Sequence, residues 1–167
     1  TDTTFPLPLL GLVHLRNRIV QHRAIAEGEA LDIRVYLDNW VRSHRGIEFD
    51  LVTDVMVAGR TVWQETSTNL YRQAKPEATE SRGQTQPGDL PRYPNSLEVR
   101  ADAALGRRYG AVSGDRNPIH LHPVTARLFG FPRAIAHGMW SKARTAAALQ
   151  PLLHSDACRL TTEFKLP

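Results

Sequence analysis

The strongest constraint on the fold of this 167-residue chain is the alternation of apolar and polar residues in its first half. Apolar side chains occupy every second position from Leu31 to Leu37, and Ile47 to Val57 largely repeats the pattern. A period of two is typical of half-buried β-strands. The segment 58–60 contains a glycine and predicts a turn before an extended run over 61–71. We therefore expect an antiparallel meander over 40–71.

Two further strands are predicted at either side of this meander. Val13 to Ile25 is one, joined to Leu31 through a turn at 26–29 that contains Gly28. Arg159 to Leu166 is the other, and no partner strand follows it in this sequence. An open edge at this strand would favour aggregation of an isolated monomer.

The second half of the chain has helical features. Asp102 can cap a helix with an apolar stripe of Leu105, Tyr109 and Val112, and Gly114 can end it. A short helix is predicted over 124–129, and the alanine-rich segment Met139 to Leu153 predicts the longest one. Its small residues would form a surface suited to close contact with a curved sheet, and they are Ala143, Ala146, Ala147 and Leu149.

Between these halves, residues 73–95 are rich in proline, glycine and polar residues, which predicts a linker or a long crossing loop. Strands followed by helices indicate an α+β fold in which helices pack on an antiparallel sheet.

The composition narrows the classes of partner. The net charge of +4 is spread along the chain and aromatic residues make up only 7%, so a nucleic-acid partner is the weakest hypothesis. No apolar stretch approaches the roughly 20 residues that span a bilayer, and no secretory signal is visible. With the single Cys158, these features lead us to expect a cytoplasmic protein without a disulfide.

The residues that predict chemistry lie around a turn at Asn117-Pro118. Proline disfavours a helical conformation of the residue before it, so Asp115 and His120 are expected on the two sides of one tight loop. A carboxylate beside an imidazole can act as an acid/base pair on one bound water. Gly138 precedes the alanine-rich helix, where unpaired N–H groups favour developing negative charge.

Two motifs carry a resemblance to a known family. The run S-G-D-R-N-P-I-H over 113–120, followed by G-F-P-R-A-I-A-H-G-M over 130–139, resembles the hydratase-2 signature of the MaoC-like (R)-specific enoyl-CoA hydratases and dehydratases. The resemblance implies that Asp115 and His120 form the catalytic dyad and that the Gly138 amide binds the thioester oxygen. It also implies a hot-dog fold, in which an antiparallel sheet wraps around a central helix.

Four further residues are expected at the substrate site: Asn117, Ser113, His137 and Met139. Asn117 would hold the loop and the substrate region. Ser113 is equally compatible with a cap at the end of a helix, and a structural role is the alternative for His137. The remaining histidines do not have metal-ligand spacing with the cysteine, so surface or packing roles are expected for His14, His22, His44, His122 and His154.

The resemblance extends to the first half of the chain, which is similar to the non-catalytic half of double-hot-dog members. We expect that half over 1–72, a linker over 73–95, and the catalytic half over 96–167 with its C-terminal strands absent. A homodimer, or pairing with a chain that supplies the missing strands, would complete the sheet.

The implied reaction is the reversible addition of water to a trans-2-enoyl-CoA to give the (R)-3-hydroxyacyl-CoA. The resemblance implies that neither a metal nor a redox cofactor is needed. Coenzyme A is part of the substrate. Two alternatives remain open at this point. One is a dehydratase acting on acyl chains carried by acyl carrier protein, and the other is a non-catalytic subunit that binds acyl thioesters or serves as a scaffold.

Overall fold

The computed structural model describes residues 5–8, 12–71, 96–129 and 131–165. Its centre is a five-stranded antiparallel sheet with the strand order β2-β3-β4-β1-β5. The strands are β1 (Leu12–Gln21), β2 (Asp32–Ser43), β3 (Gly46–Val57), β4 (Arg60–Tyr71) and β5 (Cys158–Glu163). The order places β1 between the meander and β5, so the sheet joins the two ends of the chain.

The predicted meander is confirmed. Strands β2, β3 and β4 are neighbours in sequence order, and β3 and β4 are joined at Ala58 and Gly59. Both residues have positive φ, 47° and 75°, which is the backbone that a two-residue hairpin turn with the twist of a sheet requires. Core side chains lie on this hairpin, with Phe49 and Val62 each 2% exposed.

The strand predicted at 13–25 is shorter than expected. It ends at Gln21, and one further backbone hydrogen bond joins the His22 N–H to the Val62 carbonyl. The predicted turn follows, with Gly28 at φ 86° and the Glu29 N–H donating to the Ala26 carbonyl. This turn removes the last predicted strand residues from the sheet.

The described residues of the second half form four α-helices: α1 (Leu105–Ser113), α2 (Pro118–Leu121), α3 (Pro123–Leu128) and α4 (Gly138–Leu149). The end of α1 predicted at Gly114 is confirmed, with Gly114 at φ 77°, but the predicted cap is wrong: the N-cap residue is Ala104, and the Asp102 side chain accepts from the Ala104 N–H in the turn before the helix. The α-helix α4 is shorter than predicted, and a 3-10 turn over Gln150–Leu152 continues it.

The apolar stripe predicted for α1 is wrong at Val112, whose side chain is 88% exposed. The buried residues of α1 are Leu105, Gly106 and Gly110. The glycines let the helix backbone approach the loop that follows, and this close packing sets the buried face of the helix. A hydropathy pattern cannot detect it, because glycine has no side chain to count.

The surface predicted to contact the sheet is also wrong in its residues. Ala143, Ala147 and Leu149 are exposed in the described structure, and the buried residue of α4 is Lys142. Its Nζ atom donates to the carbonyls of Asn17 on β1 and Leu160 on β5, at 3.4 and 3.2 Å, and to the Asn17 Oδ1 atom. A lysine therefore ties the central helix to the sheet, and burial lowers its pKa.

The α+β class is confirmed by this arrangement. The linker predicted at 73–95 lies outside the described residues, as do Leu166 and Pro167 at the end of the last predicted strand. Strand β5 forms one edge of the described sheet. Among the described residues, the helices lack the combination of length and apolar character that crossing a membrane requires.

Candidate active site

A cleft lies at the start of α4, between the loops around α2 and α3 and the adjoining ends of β1 and β5. Five of the predicted site residues line it, namely Asp115, Asn117, His120, Gly138 and Met139. His14 of β1, Lys142 of α4 and Phe164 after β5 line it as well. Both halves of the chain therefore contribute to the walls of this cleft.

The loop that contains Asp115 is held by hydrogen bonds between its side chains and its own backbone N–H groups. After Gly114 reverses the chain at the end of α1, the Asp115 Oδ1 atom accepts a hydrogen bond of 3.1 Å from the Asn117 N–H. The Asn117 side chain accepts a bond from the Ile119 N–H and caps the four-residue helix α2, with Pro118 in its first position. This short helix places His120 across the turn from Asp115.

The tautomer of His120 follows from its partner. Its Nδ1 atom lies 2.9 Å from the Ile135 carbonyl oxygen, and a carbonyl can only accept, so Nδ1 carries the proton. In the neutral ring, Nε2 then has a free lone pair. Burial lowers the pKa of His120, against a smaller opposing effect of the bond to Ile135. The ring is therefore neutral at neutral pH and can accept a proton or orient a water.

The Asp115 carboxylate and the rings of His120 and His137 lie close together. One ligand atom from each of Asp115, His120 and His137 lies within 4.8 Å of the other two. Two hydrogen bonds of about 2.8 Å through a water span such a distance. The Asp115 side chain is 52% exposed, so water reaches it.

His137 is buried against two aromatic rings. Its ring centroid lies 3.9 Å from that of His120 and 4.8 Å from that of Tyr109, and the residue is 1% exposed. The His137 Nε2 atom donates to the Asp115 carbonyl oxygen at 3.0 Å. His137 thus fixes the positions of both predicted catalytic residues.

Ser113 lies at the end of α1 and is not among the residues that line the cleft. Its hydroxyl donates to the Tyr109 carbonyl at 2.9 Å and accepts from the Asp115 N–H at 3.2 Å. These contacts match the helix-end alternative and connect the helix to the catalytic loop.

Gly138 is the first residue of α4, where backbone N–H groups lack partners within the helix and the helix dipole favours negative charge. The Phe164 ring packs directly against it. A Cβ atom at position 138 would lie 2.8 Å from two ring carbons of Phe164, closer than real Cβ contacts. A side chain at position 138 would force the Phe164 ring to shift, and the Gly138 residue lies at the wall of the cleft.

Two glycines of α1 that were not predicted as site residues pack against the segments that carry Asp115 and His120. A Cβ at Gly106 would lie 1.8 Å from the His120 carbonyl oxygen, and one at Gly110 would lie 2.7 Å from the Asp115 carbonyl oxygen. Helix α1 thus packs its backbone against the backbone of each predicted catalytic residue. The sequence feature that could have identified these two glycines is their spacing of four residues, immediately before the motif.

The cluster of Asp115, His120 and His137 has the spacing of a metal site. His120 donates through Nδ1 and His137 through Nε2, each to a carbonyl, so His120 Nε2 and His137 Nδ1 are the nitrogens that could face a metal. The His137 Nδ1 atom is buried and has no hydrogen-bond partner among the described residues.

Comparison with known proteins gives a family for this geometry. A family model described as the MaoC like domain matches residues 82–164. The 3-hydroxyacyl-thioester dehydratase X of Mycobacterium tuberculosis is 38% identical over 168 residues, which cover 100% of this chain and 59% of that protein. The (R)-specific enoyl-CoA hydratase of Aeromonas caviae is 44% identical over 52 residues, 26% of this chain and 39% of that protein.

A solved structure shows the same fold. The crystal structure of HtdX from Mycobacterium tuberculosis aligns with a TM-score of 0.80 and 37% identity, over 98% of this chain and 64% of that one. The chain thus spans about three fifths of the length of this mycobacterial dehydratase. The hot-dog fold expected from the motifs is confirmed. The chain therefore contains a MaoC-like dehydratase domain at residues 82–164.

Proposed function

We propose that this protein catalyses the reversible hydration of trans-2-enoyl-CoA to (R)-3-hydroxyacyl-CoA, with Asp115 and His120 as its acid/base pair. The observation that carries the proposal is the placement of the carboxylate and the imidazole within 4.8 Å, in a cleft that also contains the start of α4. The names of the relatives support a hydro-lyase acting on acyl thioesters.

The reaction would proceed as follows. The thioester carbonyl accepts a hydrogen bond from the Gly138 N–H, which draws electron density from the double bond and stabilises the developing oxyanion. A water held between Asp115 and His120 adds its oxygen to C3, and a proton is delivered to C2. The dyad takes the proton from the water and supplies the one at C2, so that the double bond is replaced by one C–O and one C–H bond. Dehydration is the reverse.

The neutral form of His120 suits this role. With Nδ1–H held by Ile135, the Nε2 lone pair can receive a proton from water, and the resulting imidazolium lies beside the Asp115 carboxylate. We assign the proton transfers to the pair.

Asn117 and Met139 line the same cleft, and we propose that they contact the acyl thioester. We propose coenzyme A as the carrier and no metal or redox cofactor. We also propose that the open edge of β5 is covered by a strand of a second copy or of another chain, and that the protein acts in the cytoplasm.

Hydration of crotonyl-CoA and of longer enoyl-CoAs, followed by loss of enoyl absorbance, tests the proposal. The Asp115→Asn and His120→Ala variants should each lower turnover about 100- to 10,000-fold, the usual contribution of a general acid or base. The matched controls are Asp156→Asn and His154→Ala, which change exposed residues outside the cleft. Full activity of both dyad variants would reject the assignment.

The same assay separates the alternatives. Faster turnover of the matching acyl-carrier-protein thioester would favour a carrier-protein dehydratase. Binding of acyl-CoA without any hydration, by the protein with its natural partners, would favour a non-catalytic subunit.

A further inference from the structure

His14 lies in the cleft, although its sequence context predicts only a surface or packing role. It lines the same wall as Gly138 and Phe164. It comes from β1, in the half of the chain without the D-x-N-P-x-H motif.

A β-bulge gives His14 its direction. In the pairing of β1 with β4, His14 is opposite Asn69 and Arg16 is opposite Thr68, so Leu15 is an extra residue. Asn17 is opposite Ser67, and because Ser67 and Asn69 are two residues apart they share one face of the sheet. The bulge therefore turns His14 onto the same face as Asn17. Bulges commonly redirect side chains next to active sites.

That face is the one that α4 covers, because the Lys142 side chain reaches Asn17. Without the extra residue, strict alternation would place the side chain of His14 on the opposite face of the sheet. The same bulge residue also holds the end of the next strand, since the Leu15 carbonyl accepts a hydrogen bond of 2.8 Å from the Phe164 N–H.

The His14 ring is fixed on two sides. Its Nε2 atom lies 2.8 Å from the Ser67 hydroxyl, and its ring centroid lies 4.7 Å from that of Phe164 at an angle of 49°. Phe164 in turn packs against Gly138 so closely that a Cβ there would overlap its ring. A continuous row of contacts thus runs from Ser67 through His14 and Phe164 to the first residue of α4.

We propose that His14 is a positioning residue of the active site, which holds the Phe164 ring against Gly138 and thereby fixes the direction of the Gly138 N–H. This inference rests on the proposed function, in which that N–H binds the thioester oxygen. An oxyanion donor works only when it is aimed at the place where charge develops, and a displacement of about 1 Å can cost about 100-fold in rate. Burial lowers the pKa of His14, which keeps the ring neutral against Phe164.

The inference predicts an effect on kcat rather than on KM, because the hydrogen bond to the oxygen strengthens as charge develops in the transition state. His14→Ala should lower kcat about tenfold or more and change KM less than about threefold. His14→Phe keeps a ring against Phe164 and should retain most of the kcat. His22→Ala, at an exposed position just past the end of the same strand, is the matched control and should behave as the unchanged protein.

A double-variant comparison tests the route through Phe164. Phe164→Ala should lower kcat by a similar factor, and the combination of His14→Ala with Phe164→Ala should lower it no further. All variants are made in the gene product at its natural length, and circular dichroism and thermal unfolding are recorded for each. If His14→Ala fails to fold, the kcat values of the other two single variants test the inference: His14→Phe should retain most of the kcat, and Phe164→Ala should lose it.

An unchanged kcat in His14→Ala, or losses that multiply in the double variant, would overturn the inference. An equal loss of kcat in His14→Phe and His14→Ala would overturn it as well, because a ring would then not be the requirement. These failures are distinct from failure of the proposed function. That function fails if Asp115→Asn and His120→Ala hydrate normally, whereas the inference alone fails if those variants are inactive and His14→Ala is not.

Discussion

Replacement of Gly106 by alanine should damage the active site while leaving the protein folded. A Cβ at this position would lie 1.8 Å from the His120 carbonyl oxygen, whereas real Cβ atoms keep at least 3.0 Å. The atom it would strike belongs to the backbone, so a rotation of a side chain cannot relieve the contact. Either α1 or the segment that carries His120 must move by about 1 Å.

The two consequences of this movement differ in size. Overpacking costs about 1 to 3 kcal/mol, and the better helix propensity of alanine returns up to about 1 kcal/mol, so the net loss of stability should be about 0 to 3 kcal/mol. A misplacement of about 1 Å in a catalytic group can lower the rate about 100-fold. Gly110→Ala, with its Cβ at 2.7 Å from the Asp115 carbonyl oxygen, should show the same effect more weakly.

Thermal unfolding and the hydration assay measure both quantities on one sample. The matched control is Ala111→Gly, at an exposed position of the same helix, which should lose about 1 kcal/mol of stability and keep its activity. Activity in Gly106→Ala equal to that of the control, at equal or lower stability, would refute the claim that this packing sets the position of His120.

Three further predictions follow from the site. Burial lowers the pKa of His120, and the neutral ring is the active form in the proposed reaction. In a pH series on crotonyl-CoA, kcat/KM should therefore fall on the acid side with a midpoint below the ordinary histidine value of about 6.5. A midpoint above that value would contradict the assignment. Prolonged treatment with a chelator should leave hydration unchanged, because the proposed proton transfers use only Asp115 and His120 and no metal. Loss of activity that zinc restores would show a metal enzyme. Lys142→Met should lower the melting temperature, and by more at high pH than at neutral pH, because a lowered pKa means that folding favours the neutral amine, which still donates to β1 and β5. A loss of melting temperature that shrinks as the pH rises would contradict this.

The parts of the fold that local patterns determine could be predicted from the sequence. Alternation over 31–37 and 47–57 gave the meander, and Gly114 marked the end of α1, because strand period and positive φ are properties of short segments. The motif predicted the neighbourhood of Asp115 and His120 for the same reason, since six consecutive residues contain both.

Features that depend on packing between distant segments were missed. His14 was expected only in a surface or packing role, and the bulge at Leu15 that turns it onto the face of Asn17 appears only in the pairing of β1 with β4. The burial of Lys142 could not be predicted from the alanine-rich segment around it, because its hydrogen-bond partners lie on two strands far away in sequence. Val112 was assigned to the core by spacing, while glycines determine which face of α1 is buried.

Comparison of the Asp115→Asn, His120→Ala and double variants in the hydration assay tests the central claim most directly. If the two side chains act on one water in one step, the double variant should hydrate crotonyl-CoA no more slowly than the slower single variant. Losses that multiply, or single variants with normal kcat, would show that Asp115 and His120 do not form one catalytic unit.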